Sequence, residues 1–143
     1  HLVGREPSEE VRRLGEEIPQ VTMTGYVPDL ASYVARASCV VVPIRTGAGL
    51  RGKILEAWAA GKAVVSTSVA AEGFNARPGE HLLVGDDPQT FARHVLAVLR
   101  DEKLRERLGT SSRVLVEEQY SADAFAEGYE TAYEAVLEGV RRQ

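Results

Sequence analysis

Residues 39 to 67 read Cys39-Val40-Val41-Val42-Pro43-Ile44-Arg45-Thr46-Gly47-Ala48-Gly49-Leu50-Arg51-Gly52-Lys53-Ile54-Leu55-Glu56-Ala57-Trp58-Ala59-Ala60-Gly61-Lys62-Ala63-Val64-Val65-Ser66-Thr67. The run Cys39 to Val42 is short, apolar and rich in β-branched residues, which suits a parallel strand buried on both faces. A glycine-rich loop follows, then a helix pattern from about Leu50 to Ala60. Gly61 stands where a C-terminal capping glycine belongs, and Ala63 to Thr67 is a second strand. Strand, helix and parallel strand make a right-handed crossover unit.

The same alternation extends both ways. Upstream, Leu2-Val3 precedes a helix pattern with Val11, Leu14 and Ile18, capped by Ser8. Val21 to Thr24 reads as a strand ended by Gly25, and Asp29 caps a short helix carrying Leu30, Tyr33, Val34 and Ala37. Downstream, His81 to Val84 reads as a strand. Asp87-Pro88 then starts a helix with Phe91, Val95, Val98 and Leu99 on its apolar face. A charged helix with Leu104, Leu108 and Leu115 follows. Ser121 caps a last helix, about 122–140, with Phe125, Tyr129, Tyr133, Val136 and Val140. There are no internal repeats. The expected fold is a Rossmann-like three-layer α/β/α arrangement with a mainly parallel sheet. Ligands bind at the carboxyl ends of such strands, so the loops after Gly4, Gly25, Pro43 and Thr67 are the places for function.

The chain has 143 residues, 44% apolar and 27% charged, a balance that supports a globular core of one domain. Its net charge of −4 makes nucleic acid a poor partner. One cysteine, Cys39, removes the disulfide-scaffold class. No apolar run reaches the ~20 residues of a membrane span, and no signal peptide is visible. A cytoplasmic domain is the expectation. The start at His1-Leu2-Val3-Gly4 resembles sequence from inside a domain.

The loop carries the chemistry. Three glycines leave backbone N–H groups uncovered at a helix start, where partial positive charge favours phosphate. Arg45, Arg51 and Lys53 add formal charge. Lys53 and Glu56 share one helix face, and a carboxylate one turn below a phosphate can accept from a ribose. A nucleoside diphosphate fits; so does a mere tight turn with no ligand. The loop lacks the Gly-Lys-Ser/Thr end of a Walker A motif. It is also not read as a dinucleotide Gly-x-Gly-x-x-Gly, since Gly47-x-Gly49 is followed by Gly52 rather than by a fitting sixth position from a tight turn.

Pro43 to Gly73 resembles the donor-binding stretch of GT-B glycosyltransferases of family 4, the glycosyl transferases group 1 type. Pro43 after an apolar strand, Lys53 to Lys62, Ala63 to Thr67 and Ala71-Glu72-Gly73 carry the resemblance. Leu2-Val3-Gly4, Met23 to Val27, Gly85 to Pro88 and Glu118 to Ser121 extend it over 1–143. It implies two Rossmann-like domains with the active site between them, this chain being most of the C-terminal, donor-binding one. The second Glu of the family's Glu-x7-Glu motif, which binds the ribose, matches Glu56. The first falls at Ala48, so the chain resembles a subgroup with a Gly-Ala-Gly loop and a downstream Lys instead. Gly47, Ala48, Gly49, Leu50, Arg51, Gly52 and Lys53 would then hold the diphosphate and sugar, with Tyr26 and Val27 near the base.

The resemblance further implies transfer from a nucleotide diphosphate sugar to a sugar, lipid-linked or small-molecule acceptor, with retention and without metal or other cofactor. A clamping Arg and Lys, with the domain's first strand, would fall upstream of His1. The expectation is therefore an inactive fragment with an altered sheet, or one that dimerises or swaps a strand. Its last helix would pack towards an N-terminal domain of the parent protein, which could sit peripherally at the inner membrane. The alternative is a non-catalytic Rossmann-like nucleotide-binding or purely structural α/β module. A response-regulator version lacks its acidic cluster and late-strand Lys.

Other residues have plainer expectations. Asp86-Asp87 reads as a cap rather than a metal pair. His81 is expected in a strand, His94 on a helix surface, and Cys39 as a small apolar packer. Ser66-Thr67-Ser68 lacks a nucleophile context. Glu72 is equally a ligand contact or a turn residue. Tyr129 and Tyr133 are expected in the core, and Arg100 to Arg107 on a solvated face.

Overall fold

The computed structural model describes residues 1–141, excepting the side chains at 127 and 138–141; Val140 is thus outside the described side chains. The chain forms two compact units, His1–Arg36 and the remainder from Ala37.

In the first unit, strand β1 (Leu2–Val3) pairs in parallel with β2 (Met23–Gly25). Helix α1 (Glu9–Glu17) starts where Ser8 Oγ accepts the Val11 N–H at 3.4 Å, and Glu9 and Glu10 complement its dipole. Leu14 and Ile18 remain exposed, so only Val11 of the expected face is half-buried. Helix α2 (Leu30–Arg36) begins at Asp29, whose Oδ1 accepts the Ser32 N–H at 3.1 Å.

The second unit holds a parallel three-stranded sheet, ordered β3 (Val40–Val42), β4 (Val64–Ser66), β5 (Leu83–Val84). Val40 faces Val64, and Val65 faces Leu83, in register. The five strands are all parallel but lie in two sheets rather than one. Helices are α3 (Gly52–Ala59), α4 (Ser68–Ala71), α5 (Pro88–Arg100), α6 (Glu102–Gln119) and α7 (Ala122–Arg141). Strand alternation sends Val64 and Val65 to opposite faces. Val64 joins Val42, Ile54, Ala57, Trp58, Leu82 and Leu115, whereas Val65 joins Ala63, Val98 and Leu108. These two cores give the expected layered α/β packing.

Helix α3 is anchored from one side. Ile54 and Trp58 are fully buried, each burial contributing roughly 2–3 kcal/mol. Trp58 meets Phe74 edge-on at 5.2 Å, and Phe74 meets Tyr120 at 5.6 Å. The helix ends in a Schellman motif: Gly61 N–H donates to Trp58 O, and Lys62 N–H to Ala57 O. Gly61 has φ +64°, which an L side chain rarely adopts. Gly109 of α6 packs directly onto that cap.

Several expectations need correction. Helix α3 starts two residues later than its pattern, because Arg51 is extended (φ −92°, ψ 95°) and takes the cap position. His81 precedes β5 instead of lying in it, and is buried. Leu99 is exposed, while Arg105 tucks over the α5 end with its Nη1 on Val98 O at 3.2 Å. Tyr129 and Tyr133 are not core: they are 67% and 69% exposed, and α7 presents them to solvent with Val136 and Leu137. Among the described residues no helix is long and apolar enough to cross a membrane.

Candidate functional site

The loop from Pro43 to Arg51 leaves the carboxyl end of β3. Its start is pinned by Thr67, just past β4. Thr67 N–H donates to Val42 O at 3.4 Å, and its hydroxyl donates to Ile44 O. The same Oγ1 accepts the Ala70 N–H at 3.1 Å, capping α4. By its sequence Thr67 reads only as the end of a strand; helix α4, the cap on it and the tie across 23 positions are decided by the structure.

Within the loop, Gly47 (φ +119°) and Gly49 (φ +86°) adopt backbone that disfavours side chains. Gly47 also makes room for Arg51, whose Nη2 would lie 3.1 Å from an added Cβ. Arg51 folds back over its own loop, and its Nη1 donates to Ala48 O at 2.7 Å. Its Nε and Nη2 are out of water without a partner. An unmet buried donor on a charged group costs about 1–3 kcal/mol or more, and the indole N–H of buried Trp58, on the same helix, likewise has no partner among the described residues.

Arg51 O receives the Ile54 N–H at 2.8 Å, and no side chain caps α3. The Gly52 and Lys53 amides at the helix start therefore have no intrahelical acceptor. Lys53 and Glu56 lie on the solvent side of α3, opposite buried Ile54 and Trp58. Neither side chain forms a hydrogen bond or ion pair among the described residues. Leu50 reaches across to the turn after α4: its Cδ2 would sit 3.3 Å from a Cβ on Gly73.

Gly47, Gly49 and Gly52 do have Gly-x-Gly-x-x-Gly spacing, so spacing does not set the dinucleotide motif aside. What separates the two is that four residues, Pro43 to Thr46, intervene between β3 and the first glycine, where the dinucleotide turn follows its strand directly.

Tyr26 and Val27 belong to the first unit. Tyr26 is exposed beneath Arg5, whose Cζ is 4.1 Å from the ring centre, and Val27 is half-buried. Asp86 and Asp87 each have a structural task. Asp86 Oδ1 accepts the Ser68 N–H at 2.8 Å and the Ser68 hydroxyl at 2.9 Å. Asp87 Oδ1 accepts the Thr90 N–H at 2.9 Å, and its hydrogen bonds with Thr90 hold its carboxyl below the usual range. The Asp86 role spans 18 positions and has no local signal.

Two hollows are lined by other residues of this unit. One, about 410 Å³, is lined by Ser68, Val69, Ala71, Glu72, Pro78 and Val84. The other, about 540 Å³, runs between α6 and the segment containing Arg77 and His81. There His81 Nδ1 accepts the Arg77 N–H at 2.9 Å, and burial holds the imidazole below its ordinary value.

A family model described as "Glycosyl transferases group 1" matches residues 1–101. The lipopolysaccharide core biosynthesis glycosyltransferase LpsE of Rhizobium meliloti (strain 1021) is 31% identical over 112 residues, covering 77% of this chain and 33% of that protein. An uncharacterized 44.6 kDa protein in the cps region of Klebsiella pneumoniae is 28% identical over 86 residues, 59% of this chain and 22% of its own length. The chain thus spans a third or less of either relative. Among solved structures, sucrose-phosphate synthase from Thermosynechococcus elongatus superposes with TM-score 0.74 at 26% identity, over 96% of this chain and 38% of the other. A variant of S. aureus TarM, in complex with Fondaparinux, alpha-GlcNAc-glycerol and UDP, superposes with TM-score 0.74 over 87% of this chain and 26% of its own. At 17% identity that likeness speaks for the fold alone.

Proposed function

The chain belongs to the glycosyl transferases group 1 family, and on that premise we propose that its glycine loop and α3 form the donor site of a sugar-transferring enzyme. The donor is a nucleotide diphosphate sugar. Its diphosphate lies on the uncapped start of α3, against the Gly52 and Lys53 amides, the Arg51 guanidinium and the Lys53 ammonium. Gly47, Ala48, Gly49 and Leu50 form the loop beside it, with the Arg51 side chain folded over Gly47 and Ala48. Glu56, one turn along, accepts hydrogen bonds from the ribose. The observation that carries this is Arg51: two buried N–H groups without a partner, beside a helix start without a cap.

The chemistry asked of these residues is electrostatic. When the sugar leaves, negative charge grows on the diphosphate. Amides and cations already aimed at it stabilise that charge without reorganising. No metal is assigned a part. The acceptor is a sugar, a lipid-linked sugar or a small molecule, and its site belongs to the N-terminal domain of a longer parent protein. Transfer proceeds with retention, and this chain alone is inactive. The exposed face of α7 is assigned to that other domain, and dimerisation or a strand swap would be a property of the isolated chain. The parent enzyme works in the cytoplasm or at the inner membrane surface.

Titration with UDP, GDP and ADP, followed by amide NMR, tests the site. Shifts are expected at residues 47–56 for one of the three. Glu56→Ala should weaken that nucleotide by ~10-fold or more, the worth of a charged hydrogen bond. Binding that ignores Glu56→Ala removes its ribose role, and an absence of shifts in 47–56 for all three removes the donor-site reading.

A further inference from the structure

A short wall of the fold is fastened to the glycine loop at both ends, and it carries a carboxylate with no assigned task. Helix α4 begins at Thr67, whose hydroxyl bonds Ile44 O at the loop's entry. It ends at Glu72-Gly73, where Leu50, near the loop's exit, closes on Gly73. Gly73 has φ +85°, backbone that disfavours a side chain, and an added Cβ would lie 3.3 Å from Leu50 Cδ2. Glu72, beside it, is exposed and makes no side-chain hydrogen bond or ion pair among the described residues. Nearby Asp86 has its Oδ1 held by Ser68, whereas Glu72 has no such partner among the described residues.

Glu72 also lines the 410 Å³ hollow, in company with Val69, Ala71, Pro78 and Val84. The hollow is shallow and open to solvent, so it can take one face of a ring. An apolar floor with one carboxylate at its edge suits a ring that is C–H on its faces and hydroxyl at its rim. Resting on the donor-site reading above, we propose that Glu72 is a specificity-determining residue for the donor sugar, its carboxylate accepting from the sugar's hydroxyls while the apolar hollow takes the C–H face.

The test compares a nucleoside diphosphate with its sugar nucleotides on the same chain: UDP with UDP-glucose and UDP-N-acetylglucosamine, GDP with GDP-mannose, ADP with ADP-glucose. For the nucleotide that binds, a sugar nucleotide is expected to shift amides of Val69 to Gly73 that the diphosphate leaves unmoved. Glu72→Gln, which keeps shape and removes charge, is expected to weaken that sugar nucleotide ~10-fold and the diphosphate less than twofold. The variant's remaining amide spectrum, matched to the native one, establishes that it folds. Unchanged sugar-nucleotide affinity in Glu72→Gln overturns the proposal, as does equal weakening of both ligands. If no diphosphate moves residues 47–56, the donor site itself is wrong and Glu72 falls with it; if the diphosphate binds and only the Glu72 effect is missing, Glu72 alone falls.

Discussion

Gly109→Ala is a sharp test of how α3 is held. In the interior of a helix, alanine is ordinarily the better residue by about 1 kcal/mol. Here the added Cβ would lie 2.1 Å from Gly61 O and 2.9 Å from Gly61 C, where ordinary contact begins at 3.4 Å. Opening the first distance to 3.4 Å takes 3.4 − 2.1 = 1.3 Å of movement. The obstacle is backbone, and it is locked in the Schellman turn that ends α3. It cannot rotate aside as a side chain would. Overpacking of this kind costs ~3 kcal/mol, the upper part of its usual range. Subtracting the ~1 kcal/mol propensity gain leaves ~2 kcal/mol of destabilisation, or about 8 °C in melting temperature for a unit of this size. Gly128→Ala is the matched control, because nothing lies within 4 Å of its added Cβ. It should raise stability by up to ~1 kcal/mol. Thermal unfolding followed by circular dichroism reads both. A melting temperature for Gly109→Ala equal to or above the native one would show that α6 does not press on the α3 cap.

His81 predicts a pH dependence with a definite sign. Burial holds its imidazole below the ordinary 6.5, opposed by the Glu80 carboxylate and reinforced by Arg77. The unfolded chain therefore binds the proton more readily, and stability present above pH 6.5 is lost as pH falls below it. Urea midpoints at pH 7.5 and 5.5 should differ in the native chain and differ less in His81→Gln; equal differences would refute the assignment. Cys39 is half-buried, and burial pushes its thiol up to about 11, against a smaller opposite effect from its backbone hydrogen bond with Val65. At pH 8 the folded chain should react with iodoacetamide ~100-fold more slowly than the chain in urea. Similar rates in the two would mean that the thiol is not shielded.

What the sequence alone determined is local. Caps at Ser8, Asp29, Asp87 and Ser121 lie three residues from the amides they bind, and all four form. The Gly61 cap, the buried valines of β4 and the glycine loop before an uncapped helix follow from short spacing rules too, whereas β3, expected to be buried on both faces, lies at the edge of its sheet and leaves Val41 43% exposed. Tertiary structure decided what distant segments do to one another. Thr67 ties Ile44 across 23 positions, and Asp86 ties Ser68 across 18. Gly109 fits Gly61, Leu50 closes on Gly73, and His81 leaves the strand for a buried turn. Periodicity reports which face of an element is apolar, not whether anything covers it, which is why Tyr129 and Tyr133 fit a core pattern and stand in solvent. A side chain's role at long range depends on which other element reaches it, and that is fixed only when the whole sheet and its helices pack.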